Sequence, residues 1–234
     1  MESKMRTVVV AGGTGALGSS VSRAFIASGA RVIATYVKQT EYDALAKQVG
    51  AALIGIPLDV TDEAAVAKFV AETESKYGAV DALVIAVGGY VGGKQLWETD
   101  TATYNLMLSL NLRAAFVMAR AILPGMIRQN RGAVVNVASK AGYGHSAGAA
   151  MYAASKAGVM ALFSSLAEEV KPYNINVNSI VPSIMDTPSN RREMPKANFD
   201  VWPKTDDIAK VILYLCSDDA RVIHGAEVPV HGKT

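Results

Sequence analysis

Short runs of β-branched residues alternate with longer segments of helical spacing along the whole chain. The predicted strands span residues 7–11, 31–35, 53–56, 82–86, 133–137, 176–180 and 227–230. The predicted helices between them span residues 16–28, 41–49, 62–77, 101–129, 150–170 and 206–217. Runs such as Val8-Val9-Val10 are apolar on both faces, which is typical of parallel strands covered by helices on each side. The alternation predicts an α/β fold, a doubly wound parallel sheet of about seven strands.

The composition indicates that this sheet belongs to a single domain covering residues 1–234. Half of the 234 residues are apolar and 19% are charged, which excludes a disordered or fibrous chain. The 23 basic and 21 acidic residues leave a net charge of +2, too small to bind nucleic acid or an anionic membrane. Cys216 is the only cysteine, and no apolar run reaches the ~18 residues of a membrane span. We therefore expect a cytoplasmic protein without nucleic-acid or membrane partners.

A glycine-rich loop connects the first predicted strand to the first predicted helix. Its sequence, Gly12-Gly13-Thr14-Gly15-Ala16-Leu17-Gly18, satisfies both G-x-G-x-x-G and G-x-x-G-x-x-G. Glycine lets the backbone turn tightly and approach a pyrophosphate, whose charge meets the N–H groups at the start of the helix. In this strand–turn–helix context the motif predicts a dinucleotide cofactor. The loop residues predicted to bind it are Gly12, Thr14, Gly15, Ala16, Leu17 and Gly18.

The end of the second strand bears on which dinucleotide is bound. A site for an unphosphorylated ribose carries an acid there, whereas this chain has Tyr36 and Lys38 with no acid before Glu41. Because Lys38 can accommodate a 2′-phosphate, the sequence favours NADP over NAD; the alternative is that Lys38 is a solvated surface residue. Asp59 follows the third strand and is placed to meet the adenine edge, the alternative being an ordinary turn residue.

A tyrosine and a lysine stand four residues apart in Met151-Tyr152-Ala153-Ala154-Ser155-Lys156, and therefore share one face of a helix. A phenol with an ordinary pKa near 10 is a poor acid–base catalyst at neutral pH, and a neighbouring cation lowers that pKa. Ser139 directly follows the fifth strand, where its hydroxyl could bind a substrate oxygen. Together with the glycine loop, the three side chains predict a catalytic site.

These motifs resemble the short-chain dehydrogenase/reductase family in order and spacing over essentially the whole chain. The resemblance implies a Rossmann fold in which Tyr152 donates or accepts a proton, Lys156 holds the nicotinamide ribose and tunes Tyr152, and Ser139 orients the reacting oxygen. Asn111 is expected to help position a proton-relay water. The resemblance also implies a homotetramer or homodimer built from the helices around Asn111 and Tyr152. Further cofactor contacts are expected at Val60, Val87, Gly88, Pro182, Ile184 and Thr187, beside Tyr152 and Lys156.

Three positions depart from the usual pattern of that family. The Asn-Asn-Ala-Gly after the fourth strand is Ile85-Ala86-Val87-Gly88, the Pro-Gly after the sixth strand is Pro182-Ser183, and the central glycine of the common fingerprint is Ala16. The segments 87–93 and 186–202 resemble the dihydropteridine reductase branch instead. That branch typically has an acid where Tyr36 stands and lacks the serine at Ser139. The chain therefore resembles a hybrid, a carbonyl-reductase tetrad beneath a pteridine-reductase-like lid.

The segment between the sixth strand and the last predicted helix is rich in proline. Four of the chain's eight prolines fall between residues 182 and 203. Because this segment follows the carboxyl end of a strand, where ligands bind in such sheets, we predict a substrate-covering loop over residues 182–205. The residues predicted to contact substrate are Tyr90, His145, Phe199 and Trp202. The three histidines have no metal-ligand spacing, so no metal site is predicted.

The sequence thus predicts an NAD(P)-dependent oxidoreductase that transfers a hydride between a nicotinamide cofactor and a small carbonyl or alcohol, with Tyr152 as proton donor or acceptor. One alternative is a quinonoid dihydropteridine reductase, which the lid resemblance favours. The other alternative is a dinucleotide-sensing binding protein without turnover. The presence of Ser139, Tyr152 and Lys156 argues against this last reading, because a sensor has no need of a tuned phenol.

Overall fold

The centre of the molecule is a parallel sheet. The computed structural model describes residues 5–144 and 146–234. Within them the strands are β1 (Thr7–Ala11), β2 (Arg31–Tyr36), β3 (Leu53–Pro57), β4 (Ala82–Ile85), β5 (Gly132–Val137), β6 (Ile175–Pro182) and β7 (Glu227–Val230). They pair in the order β3-β2-β1-β4-β5-β6-β7, every neighbour being parallel. The predicted doubly wound sheet of seven strands is confirmed.

Helices cover both faces of this sheet. In the described part of the chain they are α1 (Ala16–Ala27), α2 (Gln39–Val49), α3 (Glu63–Tyr77), α4 (Thr101–Met107), α5 (Ala114–Gln129), α6 (Ala150–Val170), α7 (Pro188–Glu193) and α8 (Thr205–Leu215). The predicted helix 101–129 is instead α4 and α5 joined through a π-helical turn, Leu108–Arg113. Helix α7 lies inside residues 182–205, which were predicted to form a loop. That segment therefore contains a short helix and is not loop throughout. Its start has the signals of a helix N-terminus, since Pro188 occupies the first turn and the Thr187 hydroxyl accepts from the N–H of Asn190.

Two apolar layers pack against the sheet. One joins strand residues such as Val9 and Leu83 to helices α3, α5 and α6. The other joins Val8, Val10 and Val84 to helices α1 and α8. Alternate residues of one strand thus enter opposite layers, and both sets are buried. This arrangement explains why the strands are apolar on both faces.

The stretch of α4, the π-helical turn and α5 is unusually apolar. Residues 101–129 are long and apolar enough to cross a membrane by length and composition, with a mean hydropathy of 1.6 in their most apolar window. The expectation that the chain contains no such run is therefore wrong. Ala114, Met118, Ile122 and Met126 are buried in the layer that covers the sheet. Packing against the sheet accounts for the apolar character of this helix.

The parallel register brings all carboxyl ends of the strands to one edge of the sheet. Strand β1 lies between β2 and β4, so the chain reverses its direction of winding beside β1. In open α/β sheets ligands bind in the crevice at this switch point. The glycine loop follows β1, Gly88 follows β4, and Ser139 follows β5. The fold therefore places the predicted cofactor and catalytic residues along the same edge.

Candidate active site

The glycine loop after β1 is shaped by close backbone contacts. Gly12 has a φ of +71°, and a Cβ there would lie 2.9 Å from Cγ2 of Val87. A Cβ on Gly18 would overlap the carbonyl oxygen of Gly12, and one on Gly13 would lie 2.6 Å from Cβ of Ala34. Side chains at these positions would collide with neighbouring protein atoms, so glycine is required for the concave shape of the loop.

The start of helix α1 is open toward this concave surface. Gly15 occupies the N-cap position, and within the described residues no side chain caps the helix. The first N–H groups of α1 are therefore available to a phosphate, which they bind well because of the helix dipole. Thr14 and Leu17 are buried, whereas Ala16 is exposed. The loop fits a dinucleotide pyrophosphate, with Ala16 on its open side.

The end of β2 presents no carboxylate from its own residues. The Tyr36 ring is buried and stacks on Tyr42 at a centroid distance of 4.7 Å. Its hydroxyl donates to Oε1 of Gln39 over 2.9 Å. The Lys38 ammonium is 3.0 Å from Oε1 of Glu41, and both side chains are exposed. Lys38 is thus the cation at this end of the site, although Glu41 partly neutralises it.

Asp59 closes a turn after β3. Its Oδ1 accepts hydrogen bonds from the backbone N–H and the hydroxyl of Thr61, over 2.9 and 2.7 Å. These hydrogen bonds lower the pKa of the Asp59 carboxyl. The carboxylate is exposed, so its outer oxygen remains accessible, while the adjacent Val60 is buried. The geometry accommodates both the adenine contact and the turn role expected from the sequence.

Lys156 is buried on helix α6 and donates to the carbonyl oxygen of Val137 over 2.9 Å. Burial lowers the pKa of its ammonium to about 8. Gly88 makes room for it, because a Cβ there would lie 3.2 Å from Nζ of Lys156 and 2.9 Å from Oδ1 of Asn111. Gly88, Lys156 and Asn111 therefore meet directly beside the carboxyl end of β4.

Tyr152 lies one turn before Lys156, with Ser139 and Tyr90 beside it. Burial is the main cause of a raised pKa at the Tyr152 phenol, and the Tyr90 phenol raises the pKa further. A hydrogen bond from Ser139 acts in the opposite direction. The sequence predicted a lowered pKa from the lysine one turn away. That prediction is wrong for this structure, because burial outweighs the effect of neighbours and Lys156 is directed at the carbonyl of Val137.

Asn111 lies in the π-helical turn between α4 and α5, and it is buried. Its Nδ2 donates to the carbonyl of Gly89 and to the hydroxyl of Ser155, both over 3.1 Å. Its Oδ1 accepts from the N–H of Gly89 over 3.0 Å. Since a π-helical turn often marks a functional site, its position at Asn111 is informative. The side chain joins the loop after β4 to helix α6.

Sequence comparison assigns the family. The model of the short chain dehydrogenase family matches residues 6–198, which is more than half of the chain. The chain belongs to the short-chain dehydrogenase family. The prediction made from the glycine loop and the tyrosine–lysine pair is thereby confirmed.

Individual relatives of this short-chain dehydrogenase agree with that assignment. The 3-oxoacyl-[acyl-carrier-protein] reductase FabG of Thermotoga maritima is 28% identical, covering 97% of this chain and 96% of the relative. The meso-2,3-butanediol dehydrogenase of Serratia marcescens is 29% identical, covering 97% and 93%. The solved structure of ElxO with NADP bound superposes with a TM-score of 0.91 at 25% identity, covering 97% and 98%. This short-chain dehydrogenase is an NAD(P)-dependent oxidoreductase that transfers a hydride between its cofactor and a small carbonyl or alcohol.

The segment after β6, residues 182–205, is braced by its own side chains, and we call it the lid. Arg191 binds Asp186 through two hydrogen bonds of 2.6 and 2.8 Å. The same guanidinium lies 4.6 Å from the centre of the Phe199 ring, which packs against Trp202 at 5.0 Å. The N–H of Asp186 donates to the carbonyl of Pro203 over 2.9 Å, closing the base of the lid. The lid is a preformed unit rather than an irregular loop.

The predicted lid residues differ in accessibility. Ile184 is 43% exposed, and Phe199 is half-buried. Thr187 and Trp202 are buried, so Trp202 supports Phe199 from within the lid. His145, also predicted to contact substrate, lies outside the described residues. No group of three or more potential ligands arranged to hold a metal ion occurs in residues 5–144 and 146–234.

Two residues that support the candidate site were not predicted from the sequence. The Thr35 hydroxyl accepts a hydrogen bond of 3.0 Å from the N–H of Gly12 and so holds the glycine loop. Ser155 is fully buried and accepts from Asn111 while donating to the carbonyl of Tyr152. A signal for Ser155 existed, since a hydroxyl on an otherwise apolar helix face next to Lys156 needs a partner.

Proposed function

We propose that this short-chain dehydrogenase uses Tyr152 as the proton donor in reduction and the proton acceptor in oxidation. The hydrogen bond between Ser139 and Tyr152, with Lys156 one turn further along α6, supports this role most directly. A substrate oxygen bound between the hydroxyls of Ser139 and Tyr152 would receive its proton from the phenol. The Ser139 hydroxyl orients that oxygen. Asn111 fixes the loop after β4 and would position a relay water between the site and solvent.

Lys156 has two roles in this proposal. The ammonium, whose Nζ lies beside Gly88, would bind the nicotinamide ribose and would stabilise negative charge that develops on Tyr152. Its pKa of about 8 means that it is largely protonated at neutral pH. The buried charge is costly unless a ligand compensates it, so cofactor hydroxyls are natural partners.

We further propose that NADP is preferred over NAD. Two observations support this preference. Tyr36 stands where an NAD site would carry an acid, and the Lys38 ammonium lies at the end of β2. The relative ElxO was solved with NADP. The cofactor residues in this proposal are Gly12, Thr14, Gly15, Ala16, Leu17, Gly18, Tyr36, Lys38, Asp59, Val60, Val87, Gly88, Tyr152, Lys156, Pro182, Ile184 and Thr187. Titration with NADPH and NADH measures the preference directly, and equal affinity would remove the role of Lys38.

Substrate is proposed to bind between Tyr152 and the lid, against Tyr90 and Phe199, with His145 as a further candidate contact. Trp202, also predicted to contact substrate, is buried and instead packs against Phe199. The relatives named above act on an acyl-carrier-protein thioester and on a diol, so they do not agree on one substrate. The exposed Tyr90 ring and the half-buried Phe199 ring favour a second candidate function, reduction of a flat quinonoid dihydropterin. Turnover of an acetoacetyl thioester, 2,3-butanedione and quinonoid dihydropterin distinguishes these substrates.

The central test replaces Tyr152 by Phe. Loss of a general acid–base group reduces turnover by roughly a hundred- to ten-thousandfold, whereas binding of NADPH is expected to persist. Unchanged turnover in the variant would exclude Tyr152 from proton transfer. Persistent binding without turnover of any substrate by the unaltered protein would favour the sensor alternative.

We propose a homotetramer or homodimer that associates through the outer surface of α5 and α6, in the cytoplasm. The surface next to the π-helical turn is apolar, with Leu108, Leu112, Phe116 and Leu162 lining a shallow groove. Phe116 and Leu106 are more than a third exposed in the single chain. Light scattering during size-exclusion chromatography measures the mass in solution, and a monomer would contradict this assembly.

A further inference from the structure

The loop that follows β4 is held at two points, with Tyr90 between them. At the first point Gly89 exchanges two hydrogen bonds with the Asn111 side chain. At the second point the N–H of Gly93 donates to the carbonyl of Gly148 over 2.9 Å. Gly93 and Gly148 have φ angles of +93° and +76°, a conformation that favours glycine. The backbone of Tyr90 is therefore fixed relative to both Asn111 and the start of α6.

Between these points the Tyr90 ring packs against the Tyr152 ring. The two ring centres are 5.0 Å apart and the ring planes meet at 83°, an edge-to-face arrangement that aromatic pairs favour. Tyr90 itself is 58% exposed, so it lies between Tyr152 and solvent on that side. The contact places the Tyr90 ring directly against the ring of the predicted acid–base residue.

Gly92 has a specific relation to this ring. Its φ is not in the left-handed region, so the backbone alone permits a larger residue there. A Cβ at position 92 would, however, overlap the Tyr90 hydroxyl and lie 2.5 Å from its Cζ. It would also lie 3.0 Å from the carbonyl oxygen of Gly148. The glycine at this position therefore makes room mainly for the Tyr90 ring.

We propose that Tyr90 is a positioning residue for Tyr152: its ring holds the reacting phenol in place and shields it from water. The proposal rests on the proton-transfer role of Tyr152 argued above. Among residues 5–144 and 146–234, the titratable neighbours of Tyr152 are Tyr90 on the loop after β4 and Lys156 on α6, and Ser139 faces it with a neutral hydroxyl. Burial raises the pKa of Tyr152 and Tyr90 adds to that effect, which agrees with the geometry.

The first test compares Tyr90→Ala with Tyr90→Phe. Alanine removes the ring and admits water, so kcat falls by roughly ten- to a hundredfold because the reacting phenol is misplaced. Phenylalanine keeps the ring and restores most of that loss. Tyr173→Ala is the control, since Tyr173 is an exposed tyrosine after α6, at the opposite edge of the sheet. Activity is measured with NADPH and the substrate turned over among acetoacetyl thioester, 2,3-butanedione and quinonoid dihydropterin.

A pH profile separates positioning from a mere substrate contact. Removing the ring exposes Tyr152 to water, which lowers its pKa toward the ordinary value. Because reduction needs the protonated phenol, the alkaline limit of kcat should move to lower pH in Tyr90→Ala. It should move less in Tyr90→Phe, which keeps the ring and loses only the effect of the Tyr90 hydroxyl. The ionisation of Tyr152 can be followed without turnover by NMR of isotope-labelled tyrosine rings, with Tyr152→Phe assigning the signal. A raised KM with unchanged kcat and pH limit would overturn the proposal and leave Tyr90 as a substrate contact.

A double-mutant cycle tests the mechanism. Gly92→Ala should displace the Tyr90 ring and reduce kcat, whereas adding it to Tyr90→Ala should cause no further loss, because the ring is already absent. Additive losses would mean that Gly92 acts through Gly148 instead, and would overturn this part of the inference. Failure of the proposed function looks different: Tyr152→Phe would then stay active. An inactive Tyr152→Phe with a fully active Tyr90→Ala overturns only the positioning role.

Discussion

The two halves of the proposed site, one for cofactor and one for substrate, are built by different means. The cofactor half consists of backbone: glycines between β1 and α1 shape a concave surface, and the open start of α1 faces it. The substrate half consists of side chains: Tyr90 packs on Tyr152, and Arg191 links Asp186 to Phe199. Lys156 lies where the halves meet, next to Gly88.

This difference has consequences for how each half can vary. A backbone surface suits the pyrophosphate that is common to NAD and NADP, and it tolerates little change because a Cβ at Gly18 meets main-chain atoms. Side-chain packing can be replaced piece by piece, which changes the substrate while the sheet stays the same. Relatives that share this fold but differ in substrate agree with that view. The cofactor half should therefore fail abruptly on substitution, and the substrate half gradually.

The largest effect is expected at the junction, with Lys156→Met. Methionine has a similar length but no charge, so turnover should fall by roughly a hundred- to ten-thousandfold as charge stabilisation at Tyr152 is lost. Lys171→Met is a matched control, because Lys171 is an exposed lysine after the same helix. Steady-state kinetics with NADPH measure both. Turnover within a fewfold of the unaltered protein would show that the buried ammonium is not needed.

The same variant should be more stable than the unaltered protein near neutral pH. Burial lowers the pKa of Lys156 from 10.5 to about 8, so below pH 8 the folded protein carries a buried charge. Between about pH 8 and 10.5 the folded state releases this proton while the unfolded state retains it, and the free energy of unfolding rises with pH. The advantage of Lys156→Met is at most on the order of 3 kcal/mol and should vanish across that range. Chemical denaturation without cofactor at several pH values measures it, and a constant difference would contradict the assignment.

The next effect concerns the backbone of the cofactor half. Gly18→Ala forces a Cβ onto the carbonyl of Gly12, so NADPH affinity should fall about tenfold or more, in line with overpacking energies of roughly 1–3 kcal/mol. Gly15→Ala is the comparison within the same loop. A Cβ there comes no closer than 3.5 Å to the Gly12 oxygen, so the loop keeps its shape and a smaller loss of affinity is expected. Isothermal titration with NADPH compares them. Equal losses in both variants would mean that the loop is not held by the contact between Gly12 and Gly18.

The cofactor half was also the part that the sequence revealed best. The glycine spacing and the four-residue interval between Tyr152 and Lys156 are local, and local patterns determine local geometry. The lid, by contrast, contains a helix that was predicted as loop. Thr187 and Pro188 mark its start locally, but its six residues are too few to show a helical period. The predicted direction of the pKa shift at Tyr152 was wrong because it depends on tertiary packing. The sequence spacing reveals a nearby cation, but it reveals neither the burial of Tyr152 nor the hydrogen bond from Lys156 to Val137.

The smallest effect is expected in the lid, with Asp186→Asn. The change removes the charge that binds Arg191 and loosens the guanidinium over Phe199, so KM for the carbonyl substrate should rise a fewfold with kcat nearly unchanged. Arg192→Gln serves as the control, since Arg192 is the exposed neighbour of Arg191. Because the hydrogen bonds from Arg191 hold the pKa of the Asp186 carboxyl below its usual range, the KM of the unaltered protein should stay constant into mildly acidic buffer. If Asp186→Asn instead lowers kcat as strongly as KM rises, the lid takes part in positioning Tyr152, and the gradual response expected of the substrate half does not hold there.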